Sequence, residues 1–433
     1  MFASMRLNNR ARLTVCLAGS LFLPILGHAE VRAGDLDTSF SSDGVATVGF
    51  REDSHAFAVA IQPDGRILVA GDTFVRGVPA FALVRFRANG ALDPGFGTAG
   101  RVTTDFAGSF ALASAMALQA DGKIVLAGAG QNSFALVRYL PRGKLDRSFG
   151  TAGKVVTTSG LEARARGLAL QSDGKIVVVG DNITDFSDSN ADFVLMRHLS
   201  DGTLDPSFGD GDGMVTTDFS SHDNAFDVAL DSNGKILVAG TVRVGTVGMF
   251  AVARYQADGD LDTTFGNDGI VTIDFGNDDG GSANAIRIQS DGRIVAAGRA
   301  ALPPAGSGNV FALVRLLSDG SLDQSFNGTG TVATDFGNFA NDLGLQADGK
   351  IVAGGGGVEF DAARYLPDGS LDTAFGGDGK VALAFTPDRP ATVNALAIQP
   401  LDGRLVLAGW APGRFGDDFA DFTVVRLHTT PIP

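Results

Sequence analysis

Residues 81–96 read FALVRFRANGALDPGF, in which an apolar run ends near Arg85, a turn follows at Asn89-Gly90, and a Leu92-Asp93-x-x-Phe96 mark comes next. These features, each preceded by a [DN]-G-[KR]-[IL] turn, recur seven times in the same order. The leucine of the Leu-Asp mark stands at Leu36, Leu92, Leu145, Leu204, Leu261, Leu322 and Leu371. Successive marks are 56, 53, 59, 57, 61 and 49 residues apart. A period of about 40–60 residues with strand-forming segments is typical of a β-propeller or a related array.

Each copy predicts four short strands, A to D. In the first copy, residues 56–62 and 66–71 form a hairpin around Pro63-Asp64-Gly65, and residues 81–87 and 91–106 form a second hairpin. Proline suits the first corner of a type I turn, and glycine takes the left-handed position that follows. A variable loop over residues 72–80 joins the two hairpins. Four strands with glycine-marked turns make one propeller blade.

The second hairpin has a register that can be counted from its turn. The count places Arg85 directly opposite Asp93, where opposite charges stabilise by roughly 0.2–1 kcal/mol. Six copies pair an arginine with an aspartate in this way: Arg85–Asp93, Arg138–Asp146, Arg197–Asp205, Arg254–Asp262, Arg315–Asp323 and Arg364–Asp372.

The seventh copy is divided between the two ends of the chain. Arg426 has no Leu-Asp mark after it, and Asp37 has no strand C before it. We therefore predict an all-β, seven-bladed propeller of four-stranded antiparallel blades. Its ring closes when an N-terminal strand within residues 36–50 pairs with residues 419–427, so that Arg426 meets Asp37. Such closure removes sheet edges that would otherwise invite aggregation.

The first 29 residues are typical of a secretory signal peptide. Three arginines precede the apolar stretch 13–26, and Gly27 and Ala29 supply small residues before the cleavage position. An uncleaved anchor is the alternative. Residues 30–433 are then a single propeller domain, exported to the periplasm, the cell surface or the medium, without a membrane span.

Charge and cysteine content narrow the possible partners. The chain has a formal charge of −15, which becomes −18 without the three leader arginines. An acidic chain of this kind repels nucleic acid and anionic membranes. Cys16 is the only cysteine and lies in the leader, so no disulfide is expected in the mature chain. We expect a monomer without a cofactor. The net negative charge favours cations, and Ca²⁺ is the candidate among metal ions.

The A–B and C–D turns are short and uniform, and we predict that they share one side of the ring, the turn face. The D–A and B–C connections vary and form the opposite loop face, where ligand contacts are favoured. This loop face is predicted to be acidic, with carboxylates at Glu52, Asp53, Asp181, Asp185, Asp188, Asp192, Asp223, Asp278, Asp279, Asp388, Asp417 and Asp418. These are either solvated turn residues or part of a Ca²⁺ site, for which Asp278, Asp279, Asp417 and Asp418 are weak candidates.

Two further loop-face residues are candidates for ligand contact. Trp410, the only tryptophan, is either a stacking platform for a sugar or aromatic ligand or a loop-packing residue. His222 lies in the connection between the third and fourth copies.

Strand A of each copy is predicted to line the central channel. Five positions there depart from the Ala or Gly of other copies: Asp227, Asn284, Arg287, Asp342 and Asn394. Arg287 either binds an anion or pairs with one of the two carboxylates. Those carboxylates could also form an acid/base pair for hydrolysis or elimination on a sugar. The sequence contains no G-x-S-x-G or H-E-x-x-H motif, and its histidines are scattered, so an enzyme is not expected.

The phrases at residues 145–150, 171–176 and 311–315 resemble the delta-60 repeat family, and the resemblance covers residues 34–428. It implies a bacterial, secreted or surface-associated β-propeller, and it brings no catalytic residue. The A–B hairpins are also similar to those of NHL-type propellers, which mostly bind partners. The leading hypothesis is an exported, non-catalytic module that binds a protein or glycan through its acidic loop face. A propeller glycan hydrolase or lyase and a purely structural surface protein are the alternatives.

Overall fold

The computed structural model describes residues 31–185, 190–220, 222–245, 247–275, 280–301, 308–386, 389–413 and 419–431. The predicted leader therefore lies outside the described residues. Within them, 28 strands form seven four-stranded antiparallel sheets, each of which is one blade. The predicted seven-bladed propeller is confirmed.

The strands follow the chain in blade order after β1 (Val45–Val48). Blade 1 has β2 (Ser54–Ile61), β3 (Ile67–Val75), β4 (Val78–Phe86) and β5 (Arg101–Thr104). Blade 2 has β6 (Ala111–Leu118), β7 (Ile124–Gly130), β8 (Ser133–Tyr139) and β9 (Lys154–Thr157). Blade 3 has β10 (Glu162–Leu170), β11 (Ile176–Asp185), β12 (Asn190–His198) and β13 (Met214–Thr217). Blade 4 has β14 (Asn224–Leu230), β15 (Ile236–Val244), β16 (Val247–Tyr255) and β17 (Ile270–Ile273).

The last three blades repeat this order, and the final one borrows its fourth strand from the start of the chain. Blade 5 has β18 (Gly281–Ile288), β19 (Ile294–Ala301), β20 (Asn309–Leu316) and β21 (Thr331–Thr334). Blade 6 has β22 (Ala340–Leu345), β23 (Ile351–Gly355), β24 (Phe360–Tyr365) and β25 (Lys380–Leu383). Blade 7 has β26 (Thr392–Ile398), β27 (Leu405–Pro412), β28 (Ala420–Leu427) and β1.

The ring closes as the divided seventh copy predicts. Strand β1 pairs antiparallel with β28, with Val45 opposite Val425 and Val48 opposite Phe422, and Leu36 forms an isolated bridge with Leu427. Backbone bonds continue the junction, since the Asp37 N–H donates to the Arg426 carbonyl at 2.9 Å. The strand itself is shorter than the predicted range 36–50, because the residues between Leu36 and β1 form the turn that all copies share.

The B–C connection of blade 1 corrects one prediction. Residues 72–80 were expected to be a variable loop, but β3 and β4 run through most of them and meet at a two-residue turn. Thr73, Phe74 and Val75 are strand formers that continue the ladder, and Arg76 (φ 56°) and Gly77 (φ 78°) both adopt left-handed backbone. Two consecutive residues with positive φ suit the tight hairpin turns whose twist matches the strands.

Every strand A carries a β-bulge that the repeat pattern did not reveal. In blade 1 the register with β3 shifts between Ala56 and Ala58, which leaves Phe57 as the extra residue. The extra residues of the seven blades are Phe57, Ser114, Arg166, Phe226, Asn284, Asn341 and Asn394. A glycine faces each bulge from strand B, and at Gly71 a Cβ would lie 1.9 Å from the carbonyl oxygen of His55. The bulge re-aims one side chain per blade.

The hydrophobic core is divided into seven clusters, each between two successive blades. The cluster between blades 7 and 1 combines Phe40 and Val48 from the N-terminal segment with Val424 of β28 and Val69 of β3. Full burial of such a side chain contributes about 1.5–3 kcal/mol. The borrowed strand is therefore part of the core that joins the two ends of the ring.

Candidate functional site

The central channel has a volume of about 980 Å³ and is lined by the first strand of all seven blades. The bulge residues of all seven blades belong to this lining, and their chemical type differs from blade to blade. Asparagines occupy the bulges of blades 5, 6 and 7, whereas phenylalanines occupy those of blades 1 and 4. Of the predicted channel residues, Asp227, Asn284, Arg287, Asp342 and Asn394 all lie on this lining. The predicted polar residues thus form an arc along blades 4 to 7, and Ser114 and Arg166 add polar groups at blades 2 and 3.

Arg287 holds two carboxylates together across this arc. Its guanidinium donates to Asp227 Oδ2 at 2.6 Å and to Asp342 Oδ1 at 2.7 Å. Burial alone would lower the pKa of Arg287, but the charges of Asp342 and Asp227 raise it above its ordinary value. Burial raises the pKa of Asp342, which Arg287 opposes. The arginine therefore stays charged and bridges blades 4, 5 and 6.

The same carboxylates also accept backbone N–H groups of the next blade. Asp227 Oδ2 accepts the Ile286 N–H at 3.0 Å, and Asp342 Oδ2 accepts the Leu396 N–H at 2.8 Å. Each carboxylate therefore connects strand A of its own blade to strand A of the next blade. This arrangement uses both carboxylates as acceptors of bonds within the ring.

The asparagines at the bulges of blades 5, 6 and 7 also form hydrogen bonds to strand A of the next blade. Asn284 Nδ2 donates to the Ala340 carbonyl at 2.9 Å, Asn341 Nδ2 to that of Val393 at 2.7 Å, and Asn394 Nδ2 to that of Ala56 at 2.8 Å. Each acceptor is the residue just before the next bulge. Asn341 was not predicted, because a regular strand A places it away from the channel, although the glycine that recurs in all seven copies of strand B marks the bulge.

We expect Asp227→Asn to lower the free energy of unfolding by about 1–3 kcal/mol. The amide can still accept a backbone N–H, but it cannot neutralise Arg287. Urea unfolding of the variant and of Asp64→Asn, an exposed turn-face carboxylate, measures the difference. Equal stability of both variants and the parent would contradict the structural role given to Asp227.

The turn face is held by seven copies of one ionic arrangement. In each, the arginine of strand C donates through Nε to the aspartate of the Leu-Asp mark at 2.7–2.9 Å. The predicted pairs Arg85–Asp93, Arg138–Asp146 and Arg426–Asp37 are among them. The basic residue of the A–B turn lies 2.7–3.8 Å from the same carboxylate. The sequence analysis did not assign this second cation, although Lys or Arg recurs there in every copy.

Each of these arginines also connects neighbouring blades. The guanidinium carbon lies 4.5–4.8 Å from the ring centre of the phenylalanine in the Leu-Asp mark. The guanidinium further donates to a carbonyl in the C–D turn of the next blade, as Arg85 does to Pro141 at 2.7 Å. Burial alone would raise the pKa of Asp37, but Ser39 and the charges of Arg426 and Arg404 hold it below its usual value. The turn face is thus committed to structure.

The predicted acids of the loop face are buried, as three of them are, partly exposed, as Glu52 and Asp53 are, or outside the described residues. Asp181, Asp192 and Asp223 are buried, where Asp181 pairs with Arg164 and Arg166 and Asp223 accepts three backbone N–H groups. Burial raises the pKa of Asp192, and Asp218 and Asp223 add to the rise. Asp181 and Asp223 therefore stabilise the local structure through these bonds, whereas Asp192 Oδ1 is buried without a hydrogen bond from any described residue.

The remaining predicted acids are largely beyond the described residues. Asp278, Asp279, Asp417 and Asp418, the Ca²⁺ candidates, lie there, as do Asp188 and Asp388 and the side chain of Asp185. Among the described side chains, no group of three or more His, Cys, Asp or Glu is arranged to bind a metal ion.

Among the described residues, exposed apolar side chains occur on both faces: five lie on the loop face, whereas Leu140, Leu317 and the 76% exposed Leu401 lie in turns of the turn face. Phe110, Leu161, Val244, Val358 and Phe419 are 39–63% exposed and come from five separate connections. Four arginines, Arg51, Arg76, Arg164 and Arg299, are exposed on the same face. Aromatic, aliphatic and arginine side chains at the surface are the composition that protein interfaces favour.

Trp410 and His222 lie apart from the channel cluster. Trp410 packs against His55 with ring centres 5.4 Å apart, and the pair borders a cavity of about 200 Å³ between blades 7 and 1. Asp72 beside Nδ1 raises the pKa of His55, although burial opposes this. His222 is half-buried in the connection between blades 3 and 4 and does not line this cavity.

Asp361 is a buried carboxyl that sequence reasoning did not single out. It stands in β24 at the position held by Ala82, Ala135 and Ala312 in other blades. Burial raises its pKa to about 7, and Glu359 adds to the rise. The group is therefore protonated in the folded protein below pH 7, whereas it ionises near 3.8 when unfolded. Folding stability is lost as the pH rises through this window, because the unfolded state binds fewer protons.

We expect Asp361→Ala to be more stable than the parent at pH 8 by about 2–4 kcal/mol, because alanine already fits this position elsewhere. The difference should grow by about 1.4 kcal/mol per pH unit between pH 5 and 7. Urea unfolding of both proteins across this range measures it, and other titrating groups cancel in the difference. A difference that does not change with pH would contradict the raised pKa.

Six segments of the chain match one family of β-propeller proteins. Residues 62–96, 119–149, 171–208, 232–265, 289–326 and 346–375 match the family described as "Domain of unknown function (DUF5122) beta-propeller". The chain is a β-propeller repeat protein. The six matched segments fall in blades 1 to 6 and run from the A–B turn to the Leu-Asp mark, the part of the propeller repeat that carries the ionic arrangement. No curated protein sequence matches the chain.

Three solved structures are similar to this chain at low identity. Polysaccharide lyase Uly1 is 10% identical with a TM-score of 0.48, and 92% of this chain and 98% of that one are covered. Sqt1 from Chaetomium thermophilum is 11% identical with a TM-score of 0.47, covering 92% and 100%. Drosophila Semaphorin 1b, extracellular domains 1–2, is 12% identical with a TM-score of 0.46, covering 92% and 88%. These values support no inference about a ligand. In the described part of the repeat protein, no helix has the length and hydropathy that a membrane crossing requires.

Proposed function

We propose that the protein is an exported, non-catalytic binding module of the delta-60 repeat type, which binds a protein partner through its loop face. The observation that carries this proposal is the set of exposed apolar side chains contributed by five loop-face connections. Single exposed apolar residues are common on protein surfaces, but the loop face has five of them together with four exposed arginines, more than the three exposed leucines of the turn face, which favours the loop face as the interaction surface. Export is supported by the leader-like residues 1–29.

The turn face lacks the variable loops of the loop face, and this difference supports the loop face as the binding surface. Its turns are uniform, and their charged side chains are occupied by the sevenfold ionic arrangement. A rigid ring with one uniform and one variable face follows the general pattern in which recognition is carried by variable loops on a fixed scaffold. The engagement of Asp227 and Asp342 by Arg287 and by backbone N–H groups further favours binding over glycan hydrolysis.

Affinity capture with matched surface variants tests the proposal. Residues 30–433 are immobilised and exposed to an envelope extract of the organism that encodes the chain. The loop-face variant carries Phe110→Asp, Val244→Asp and Val358→Asp. The control carries Leu140→Asp and Leu317→Asp, whose side chains are 37% and 36% exposed in C–D turns of the turn face.

We expect the parent and the turn-face control to retain a defined protein and the loop-face variant to lose it. Because interface hot spots each contribute about 2 kcal/mol or more, three introduced charges should weaken capture at least about 100-fold. A protein that all three retain equally, or that only the turn-face control loses, would contradict the assignment, as would the absence of any captured protein.

A further inference from the structure

A small cavity between blades 7 and 1 opens on the loop face and has a volume of about 200 Å³. Its lining includes Asp53, His55, Arg389, Trp410 and two prolines, Pro390 and Pro412. Cavities for drug-sized ligands have volumes of about 300–1,000 Å³, so this one fits a single small ring. The lining shares no residue with the protein-binding surface proposed above, but the cavity borders it, because the Ala391 N–H after Pro390 donates to the Val358 carbonyl and Phe419 adjoins Ala420.

The apolar part of the cavity is flat and rigid. Trp410 belongs to β27 and is fixed by ladder pairing with Thr392 and Phe422, and His55 packs against its ring in a T-shaped arrangement. The two prolines add apolar surface without backbone N–H donors at their positions. An indole held in this way offers a large apolar surface at little cost in conformational entropy.

The polar part has capacity beyond its internal bonds. Asp72 is 95% buried behind the lining, where its Oδ1 lies 3.4 Å from His55 Nδ1. Asp53 accepts the Ala420 N–H with Oδ1 alone. The His55 side chain is 30% exposed and stands between Asp72 and the cavity. Donors and acceptors therefore meet at the edge of the indole.

We propose that this cavity binds one sugar ring, with a C–H face of the pyranose on Trp410 and its hydroxyl groups on Asp53, His55 and Arg389. A hydroxyl both donates and accepts, so it can donate to a carboxylate and accept from a guanidinium in the same site. The Asp53 carboxylate and the basic groups of His55 and Arg389 belong to the same lining, which disfavours a ligand of single net charge and favours a neutral, polyhydroxylated one.

Trp410 is the only tryptophan, so its fluorescence reports on this cavity alone. Residues 30–433 are titrated with glucose, galactose, mannose and N-acetylglucosamine up to about 50 mM, a range that covers the millimolar affinities of small ligands. We expect at least one of these sugars to change the emission saturably. Glycerol and tetramethylammonium serve as non-sugar controls.

Variants distinguish this site from general effects on the fold. His55→Gln and Asp53→Asn should each weaken sugar binding at least about tenfold, whereas Asp64→Asn on the turn face should leave it unchanged; calorimetry of Trp410→Ala should show its loss. Thermal unfolding verifies that each variant folds. Absence of saturation with all four sugars, saturation with tetramethylammonium alone, or binding that survives both His55→Gln and Asp53→Asn would overturn the proposal.

Discussion

Removal of residues 31–50 is expected to abolish cooperative folding of the propeller. The deletion takes away β1, the buried Phe40 and the carboxylate of Asp37, and it uncovers the edge of β28. Arg426 would remain buried without its partner, which costs about 3–5 kcal/mol, and loss of Phe40 from the core adds about 3–5 kcal/mol. Together these terms approach the 5–15 kcal/mol that stabilises a typical protein. Circular dichroism, urea unfolding and size-exclusion chromatography measure the outcome.

A circular permutant provides the matched control. Joining Thr429 directly to Ala33 recreates the C–D turn of other blades, because Gly34 corresponds to Gly143 and Leu36 to Leu145. A chain that starts at Arg51 and ends at Phe50 should therefore fold with the stability of the parent. A truncated chain that unfolds as cooperatively as the parent, or a permutant that fails to fold, would contradict closure by the N-terminal strand.

Arg364→Met is expected to lower the free energy of unfolding by about 3–5 kcal/mol. Arg364 is only 1% exposed, and it contacts Asp372 at 2.8 Å, the ring of Phe375 and the Thr429 carbonyl. Methionine keeps the volume but leaves Asp372 buried with a weaker partner. Guanidinium chloride unfolding at neutral pH measures the loss.

Two further variants separate the charge from the packing at this position. Lys350→Met removes the second, more exposed cation, 3.2 Å from Asp372, and should cost no more than about 1 kcal/mol. In Arg364→Met combined with Asp372→Leu, more than half of the lost stability should return, because no unpaired buried charge remains. Equal losses in Arg364→Met and Lys350→Met would contradict the different roles of the two cations.

The repeat marks were sufficient to predict the architecture. A hairpin register follows from its turn, so Arg85 and Asp93 could be placed opposite each other, and the unmatched Arg426 and Asp37 indicated where the ring closes. These inferences depend on local geometry repeated seven times. Each further copy shows the same spacing between the arginine, the turn and the aspartate. A spacing repeated in this way is more informative than any single motif.

The positions of side chains in the channel and on the loop face were harder to predict from the sequence than the blade architecture. A bulge shifts one side chain without changing the hydrophobic pattern, so the pattern placed Asp227 and Arg287 at the channel but did not identify Asn341 or Phe57. Burial in loops is decided by long-range packing. The sequence predicted an acidic loop face; of the described acids, Asp181 and Asp223 are buried in local networks, whereas Glu52 and Asp53 are partly exposed.

Site-specific photo-crosslinking tests the central claim, that the loop face binds a protein, most directly. A photoreactive benzoyl-phenylalanine replaces Val358 on the loop face or Leu317 on the turn face, which are 63% and 36% exposed. The chain is irradiated in the envelope extract used for capture. A covalent adduct of defined mass at position 358, with none at position 317, is the predicted result. Adducts only at position 317, or at neither position, would contradict it.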